Sequence, residues 1–455
     1  MRRINIGLIG AGVVGSALVS QLDLKYDRIK MEFDIDIRVN KILVRDLSTK
    51  RDIPSKSILY SDDDTQKTSE GIFTTSLNDI VESKEIDLVV EVAGGIDSAY
   101  KIISSALKKS LPVVTANKAL LAEKGGQLYS LANENSVDLL FEAAVAGGVP
   151  VVRPLRESLA VEHINSVRGI LNGTTNFILT QMTKNGTSYN DALKEAQQLG
   201  YAEADPTADV QGHDAAAKIA IISLIATGTM ASQNDVKTIG ISNVSSSDIA
   251  QAKELGYVIK LIATIEEKNE KEIFLRVEPT FVPNSHPFST TNDGFNAVFV
   301  VGKHLGEIMF YGRGAGGDPT ASAVLGDVID ASINISRKRK GSVVGVTFEK
   351  SVANPDEWKS KFFMSATVKD EPGVLAQIAQ VYGNNNISLE TVQQDGKGVF
   401  AGRDIEEGEV IEVCPIILFP SEELADVRKT VLDDYYLERR EKGEWYAFCL
   451  GYGSL

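Results

Sequence analysis

Residues 4–9 (Ile4-Asn5-Ile6-Gly7-Leu8-Ile9) form a short apolar run, and Gly10-Ala11-Gly12-Val13-Val14-Gly15 follows with no spacer. A helix-like stretch over residues 16–24 comes next, then a second strand-like run over residues 37–44. Strand, glycine-rich turn, helix and strand in that order is the context in which G-x-G-x-x-G marks a dinucleotide-binding unit. Each glycine has its own reason. Gly10 permits the tight turn, Gly12 lets the backbone approach a pyrophosphate, and Gly15 allows close packing of helix on strand. The pyrophosphate is then expected on exposed N–H groups at the helix start, with Val13 and Val14 between the last two glycines.

Further strand-like runs at residues 88–92, 113–115 and 139–142, with helical stretches between them, predict a parallel, doubly wound sheet over residues 1–140. At the tip of the second strand Arg45 precedes Asp46, with Lys50 and Arg51 close by. A carboxylate there usually accepts the ribose 2′-hydroxyl of NAD, whereas an arginine tolerates a 2′-phosphate. The pattern leans to NADP or to use of both cofactors.

The pattern changes after Pro150. Polar turns such as Asn172-Gly173-Thr174-Thr175-Asn176 separate longer helices at residues 191–199, 214–227 and 247–255, and strands follow at 258–265 and 272–279. Residues 141–335 are therefore read as an α+β domain. Arg337-Lys338-Arg339-Lys340-Gly341 opens a linker, 336–360, whose plainest reading is a solvated joint. Beyond it come a strand (362–368), a helix opened by Pro372-Gly373 and running through Tyr382, and another strand (387–393). The fold class expected is α/β: a Rossmann-type sheet, an α+β domain, and a small C-terminal α+β appendage.

A chain of 455 residues with a net charge of −15 offers no basic footprint for nucleic acid. Its two cysteines, Cys414 and Cys449, lie in the last fifth of the chain, so neither a disulfide framework nor a clustered zinc site supports the rest. The N-terminus runs straight into a strand, and no apolar run has the roughly 18 residues a membrane span needs. The compartment expected is the cytoplasm.

The densest concentration of unusual chemistry is Tyr201-Ala202-Glu203-Ala204-Asp205-Pro206, followed by Gln211-Gly212-His213-Asp214-Ala215-Ala216-Ala217-Lys218. Asp214 and Lys218 are four apart and share one helix face. The run they open, residues 219–226, is apolar all round and reads as a buried helix. A charged pair at the mouth of a buried helix costs desolvation energy, which marks a candidate site.

At this point the chain resembles the homoserine dehydrogenase family, over residues 1 to about 350. The resemblance is carried by Gly10 to Gly15, Thr115-Ala116-Asn117-Lys118, residues 141–150, Asn172 to Asn176, Glu203 to Lys218, and residues 311–320. It implies reduction of L-aspartate 4-semialdehyde to L-homoserine by a nicotinamide hydride. Glu203 and Asp214 match the family's substrate-binding acids, suited to a substrate ammonium. Lys218 matches its proton-transfer lysine and Lys118 its second active-site lysine, which also serves the cofactor. A carbonyl oxygen gaining charge needs such a donor. Gly200, Gly314 and Gly316 match cofactor-facing glycines, beside Arg45 as the candidate cofactor contact at the strand tip. The segment from Glu142 resembles a monovalent-cation loop, in which one Glu142 carboxylate oxygen and the carbonyls of Val145, Gly147 and Val149 would surround sodium. That residues 141–335 form the substrate-binding and catalytic domain, and a homodimer through it, is implied by the resemblance alone.

Residues 361–395, with Asp370-Glu371-Pro372-Gly373-Val374-Leu375 as the turn into the helix, look like the first half of an ACT module. Residues 396–455 then resemble the opening of a SET methyltransferase domain that stops before its catalytic motifs. An amino-acid sensor would have no need of Lys118, Glu203, Asp214 and Lys218 together, and a methyltransferase would need residues that are missing.

Overall fold

The computed structural model describes residues 1–49, 71–339, 350–358, 360–364, 368, 373–384, 417–420 and 449–452. The first unit alternates β1 (Arg2–Ile9), α1 (Val13–Phe33), β2 (Ile35–Leu43), β3 (Phe73–Thr74), α2 (Asn78–Val81), β4 (Leu88–Glu91), α3 (Asp97–Lys108), β5 (Val113–Thr115), α4 (Lys118–Glu134) and β6 (Leu139–Leu140). All six strands are parallel, in the order β3-β2-β1-β4-β5-β6. The chain reverses its direction of growth between β1 and β4, and the crevice at the carboxyl ends of these strands is where ligands of such sheets bind. Strand residues such as Ile4, Ile6, Leu8, Leu88 and Val90 are buried because helices cover both faces.

The second unit runs β7 (Ile164–Ile170), α5 (Gly173–Asn185), α6 (Tyr189–Gln198), α7 (Thr207–Val210), α8 (His213–Thr227), β8 (Lys237–Thr238), α9 (Ser246–Glu254), β9 (Tyr257–Asn269), β10 (Glu272–Pro283), β11 (Phe295–Gly302), β12 (Gly306–Arg313), α10 (Gly317–Ser336) and β13 (Ser351–Val352). Its mixed sheet has the order β12-β11-β7-β9-β10-β13, with β8 on β10. The pattern of the sequence misses β7, β11 and β12, and it reads Asn172 to Asn176 only as a turn. Here Asn172 is the N-cap of α5, its side chain accepting the Thr175 N–H, and the next four residues are helical. A short polar segment that caps a helix looks, in sequence, like one that ends it.

α8 forms as its composition predicts. Gly212 at φ +82° turns the chain in, Asp214 complements the helix dipole in the first turn, and Gly228 at φ +67° closes the helix. Between them, residues 214–224 are all buried. α10 has a less obvious place. It leaves the second sheet and packs on α1, burying Ala321, Val324, Leu325, Val328 and Ala331 in the core of the parallel sheet.

Beyond residue 350, β14 (Lys361–Met364) pairs antiparallel with β15 (Ile417–Pro420) and β16 (Cys449–Tyr452), and α11 spans Val374–Asn384. The strand expected at 387–393 and the SET-like stretch from residue 396 lie outside the described residues. Among those that are described, no helix is long and apolar enough to cross a membrane.

Candidate active site

The glycine-rich turn has the shape its spacing predicts. Gly10 adopts φ +100°, and a Cβ there would sit 2.8 Å from the Ala93 Cα. A Cβ on Gly15 would collide with the Gly10 carbonyl oxygen, so helix and strand touch through backbone alone. α1 starts at Gly12 with no side-chain cap and no acidic residue in its first turn. Its first N–H groups are thus left for an anion. Arg45 is exposed just beyond β2. Asp46, beside it, spends its carboxylate locally, accepting from the Ser48 N–H at 2.8 Å and the Ser48 hydroxyl at 2.6 Å.

At the end of β4 the wholly buried Glu91 accepts from the backbone N–H groups of Ala93 and Gly94, each at 2.9 Å, and from the Thr115 hydroxyl at 2.7 Å. Thr115 in turn accepts the Asn117 N–H, and the Asn117 amide donates to the Gly95 carbonyl at 2.6 Å. Asn117 also caps α4, accepting the Leu120 N–H. This chain of bonds places Lys118, the first residue of α4, at the mouth of the crevice.

Lys118 crosses to the second unit and forms an ion pair with Asp214, ninety-six residues away. The other carboxylate oxygen of Asp214 accepts the Lys218 ammonium at 2.7 Å and the Asn172 amide at 2.9 Å. Lys218 donates a second bond to the Leu171 carbonyl at 2.7 Å. Burial alone would raise the Asp214 carboxyl's proton affinity. The charges of Lys218 and Lys118 outweigh it, however, and hold the group well below the usual carboxylate range. Asp214 is therefore a fixed anion with an amine on each side.

Asn172 also donates to Asp209 at 2.6 Å, and Thr174 donates to the Tyr201 carbonyl at 2.6 Å. The Tyr201 ring stacks on Phe177 with centroids 4.6 Å apart. The loop carrying Gly200 (φ +78°) and Glu203 is thereby fastened beside the lysines, and Glu203 is exposed on it. Sequence reasoning gave Asn172 no individual role and passed over Asp209. Neither spacing nor residue type points to them; they matter because of what the fold sets beside them.

The segment after Glu142 bends sharply, with Ala146 at φ +53° and Gly147 at φ +59°. A Cβ on Gly147 would strike the Gly314 carbonyl, and one on Gly317 would lie 2.9 Å from a Val13 methyl. The loop of Gly314 and Gly316 is thus wedged between the 142–149 segment and the glycine-rich turn. Glu142 accepts from the Val151 and Val152 N–H groups with one oxygen (2.6 and 3.0 Å) and from the Arg153 N–H with the other (2.6 Å). Among the described residues, no group of three His, Cys, Asp or Glu side chains could hold a metal.

The chain is similar to known proteins over both units. Residues 10–142 match the family described as homoserine dehydrogenase, NAD binding domain, and residues 150–329 match the family described as homoserine dehydrogenase. The chain is 40% identical over 397 residues to a homoserine dehydrogenase of Bacillus subtilis, covering 87% of this chain and 88% of that one. It is 43% identical over 396 residues to one of Corynebacterium glutamicum, covering 86% of each. Among solved structures, a homoserine dehydrogenase from Thiobacillus denitrificans superimposes with a TM-score of 0.82 at 32% identity, covering 99% of this chain and 98% of the other. A hyperthermophilic archaeal homoserine dehydrogenase in complex with NADPH gives a TM-score of 0.60 at 28% identity, covering 73% of this chain and 98% of that one.

Proposed function

The chain belongs to the homoserine dehydrogenase family, and from that premise we propose how its own residues carry out the NAD(P)-dependent interconversion of L-aspartate 4-semialdehyde and L-homoserine. The cofactor, when bound, supplies the hydride that turns the aldehyde carbon into a primary alcohol carbon. Gly10, Gly12, Val13, Val14 and Gly15 receive its pyrophosphate. Gly200, Gly314 and Gly316 would face the cofactor with their backbone. Arg45 meets a 2′-phosphate, and the local bonds of Asp46 favour that assignment, because they draw its carboxylate away from a ribose hydroxyl. NADP is accordingly the preferred cofactor.

Lys218 holds the proton given to the carbonyl oxygen as negative charge develops there. Asp214 keeps its ammonium aimed, and Lys118 adds a second positive charge from the facing unit. With two lysines and Asn172 on its oxygens, Asp214 acts mainly through these partners, while Glu203 on the neighbouring loop takes the substrate ammonium. The observation that carries this reading is Asp214 between two amines from the two sides of the crevice. It is tested by following NADPH oxidation with L-aspartate 4-semialdehyde for the parent chain and Lys218→Ala. A loss on the order of 100-fold or more is expected for a general acid, and equal rates would refute the assignment.

The carbonyls of Val145, Gly147 and Val149 suit a monovalent cation, with Glu142 as the acidic member of the set. Its charge already anchors the 151–153 turn, so the site is structural rather than catalytic. We take the nucleotide-binding unit as residues 1–140, joined by α10, and the second unit as the substrate-binding and dimerising one. The SET-like tail, residues 396–455, has no part in turnover.

A further inference from the structure

The antiparallel pairing of β7 with β11 stops at Ile170 and Ala297. One residue further along, a side chain takes over from the backbone: the Asn296 Nδ2 donates to the Leu171 carbonyl at 3.1 Å. That same carbonyl accepts the Lys218 ammonium at 2.7 Å. Asn296 is 0% exposed, yet its Oδ1 has no hydrogen-bond partner among the described residues. Gly314 lies flat on the amide, where any Cβ would collide with it. A buried, half-satisfied amide costs stability that an alanine or serine in its place would not, and such groups call for an explanation beyond packing.

We propose that Asn296 is a positioning residue for Lys218. An ammonium on a flexible four-carbon stem has three donors and no preferred direction of its own. Two fixed acceptors, Asp214 and the Leu171 carbonyl, take two of its protons and so set the direction of the third, the one available to a substrate oxygen. Leu171 lies past the end of the ladder, so its carbonyl is steadied by Asn296 rather than by a strand. Gly314 holds the amide plane from the other side.

The inference rests on Lys218 as proton donor, and the test separates the two claims. NADPH-dependent reduction of the aldehyde is measured for full-length Asn296→Ala, Asn296→Ser, Lys218→Ala and the Asn296→Ala/Lys218→Ala double variant. Losing one aligned hydrogen bond is expected to lower kcat on the order of tenfold in both Asn296 variants, with KM for NADPH unchanged. In the Lys218→Ala background the same change should cost nothing further, since there is no ammonium left to aim. Parental kcat in either folded Asn296 variant, or the full tenfold loss repeated without Lys218, would overturn the inference. Parental turnover in Lys218→Ala would instead overturn the lysine assignment itself.

Discussion

Replacing Asp214 by asparagine keeps the shape of the site and removes the anion between its two lysines. Asparagine can keep its oxygen towards Lys218 and Asn172, turning its amide nitrogen, a donor, towards Lys118. The side chain of Lys118 is 49% exposed and can move into water, so losing that pair contributes under about 1 kcal/mol. The Lys218 side chain is only 11% exposed and would be left as a buried ammonium without an anion. Removing one partner of such a pair sets the expected loss at about 3 kcal/mol. Because the native carboxyl titrates below its unfolded value, its contribution is fully present above about pH 4 and is lost as the pH falls through the folded value. Urea unfolding of parent and Asp214→Asn should therefore differ by a constant amount from pH 8 to 5 and converge in stronger acid. Turnover should fall on the order of 100-fold, since the Lys218 ammonium loses the anion that aims it at the substrate oxygen. A variant as stable as the parent at pH 7 and turning over at the parental rate would refute the reasoning.

Gly15→Ala forces a Cβ into the Gly10 carbonyl and should cost about 2–3 kcal/mol together with the cofactor's stabilising effect, measured as thermal melts with and without NADPH. Arg45→Ala should raise KM for NADPH on the order of tenfold and leave KM for NADH unchanged, because only the former has a phosphate to pair. Asp327 is buried beside Glu142, and burial followed by that neighbouring charge pushes its carboxyl up to about 7. The folded state thus holds a proton that the unfolded chain has lost, and stability should fall as pH rises from about 4 to 7. Asp327→Asn should remove that slope, worth at most about 4 kcal/mol, in unfolding curves taken across the range.

The nucleotide-binding half was legible because its signal is local. Gly10, Gly12 and Gly15 sit next to the strand and helix that give them meaning, and the apolar run of α8 announces its burial from every side. The Asp214–Lys218 pair was equally plain, being one helical turn apart. The partnership with Lys118 could be reached only through family resemblance, since nothing in the spacing of two residues so far apart brings them together. α10 was hidden for a related reason. Its stripe of Ala321, Val324, Leu325 and Val328 has helical periodicity, but periodicity does not say which sheet a helix will cover. Asn172 and Asn296 look like any polar residue near a turn, and their importance comes from one carboxylate and one carbonyl supplied by distant strands and helices.

A crystal structure of the chain with L-homoserine and an oxidised nicotinamide cofactor bears most directly on whether proton delivery comes from this cluster. The substrate hydroxyl should lie about 3 Å from the Lys218 Nζ, with Asp214 still bridging both lysines. A hydroxyl held by another donor, with Lys218 turned away from it, would contradict the account.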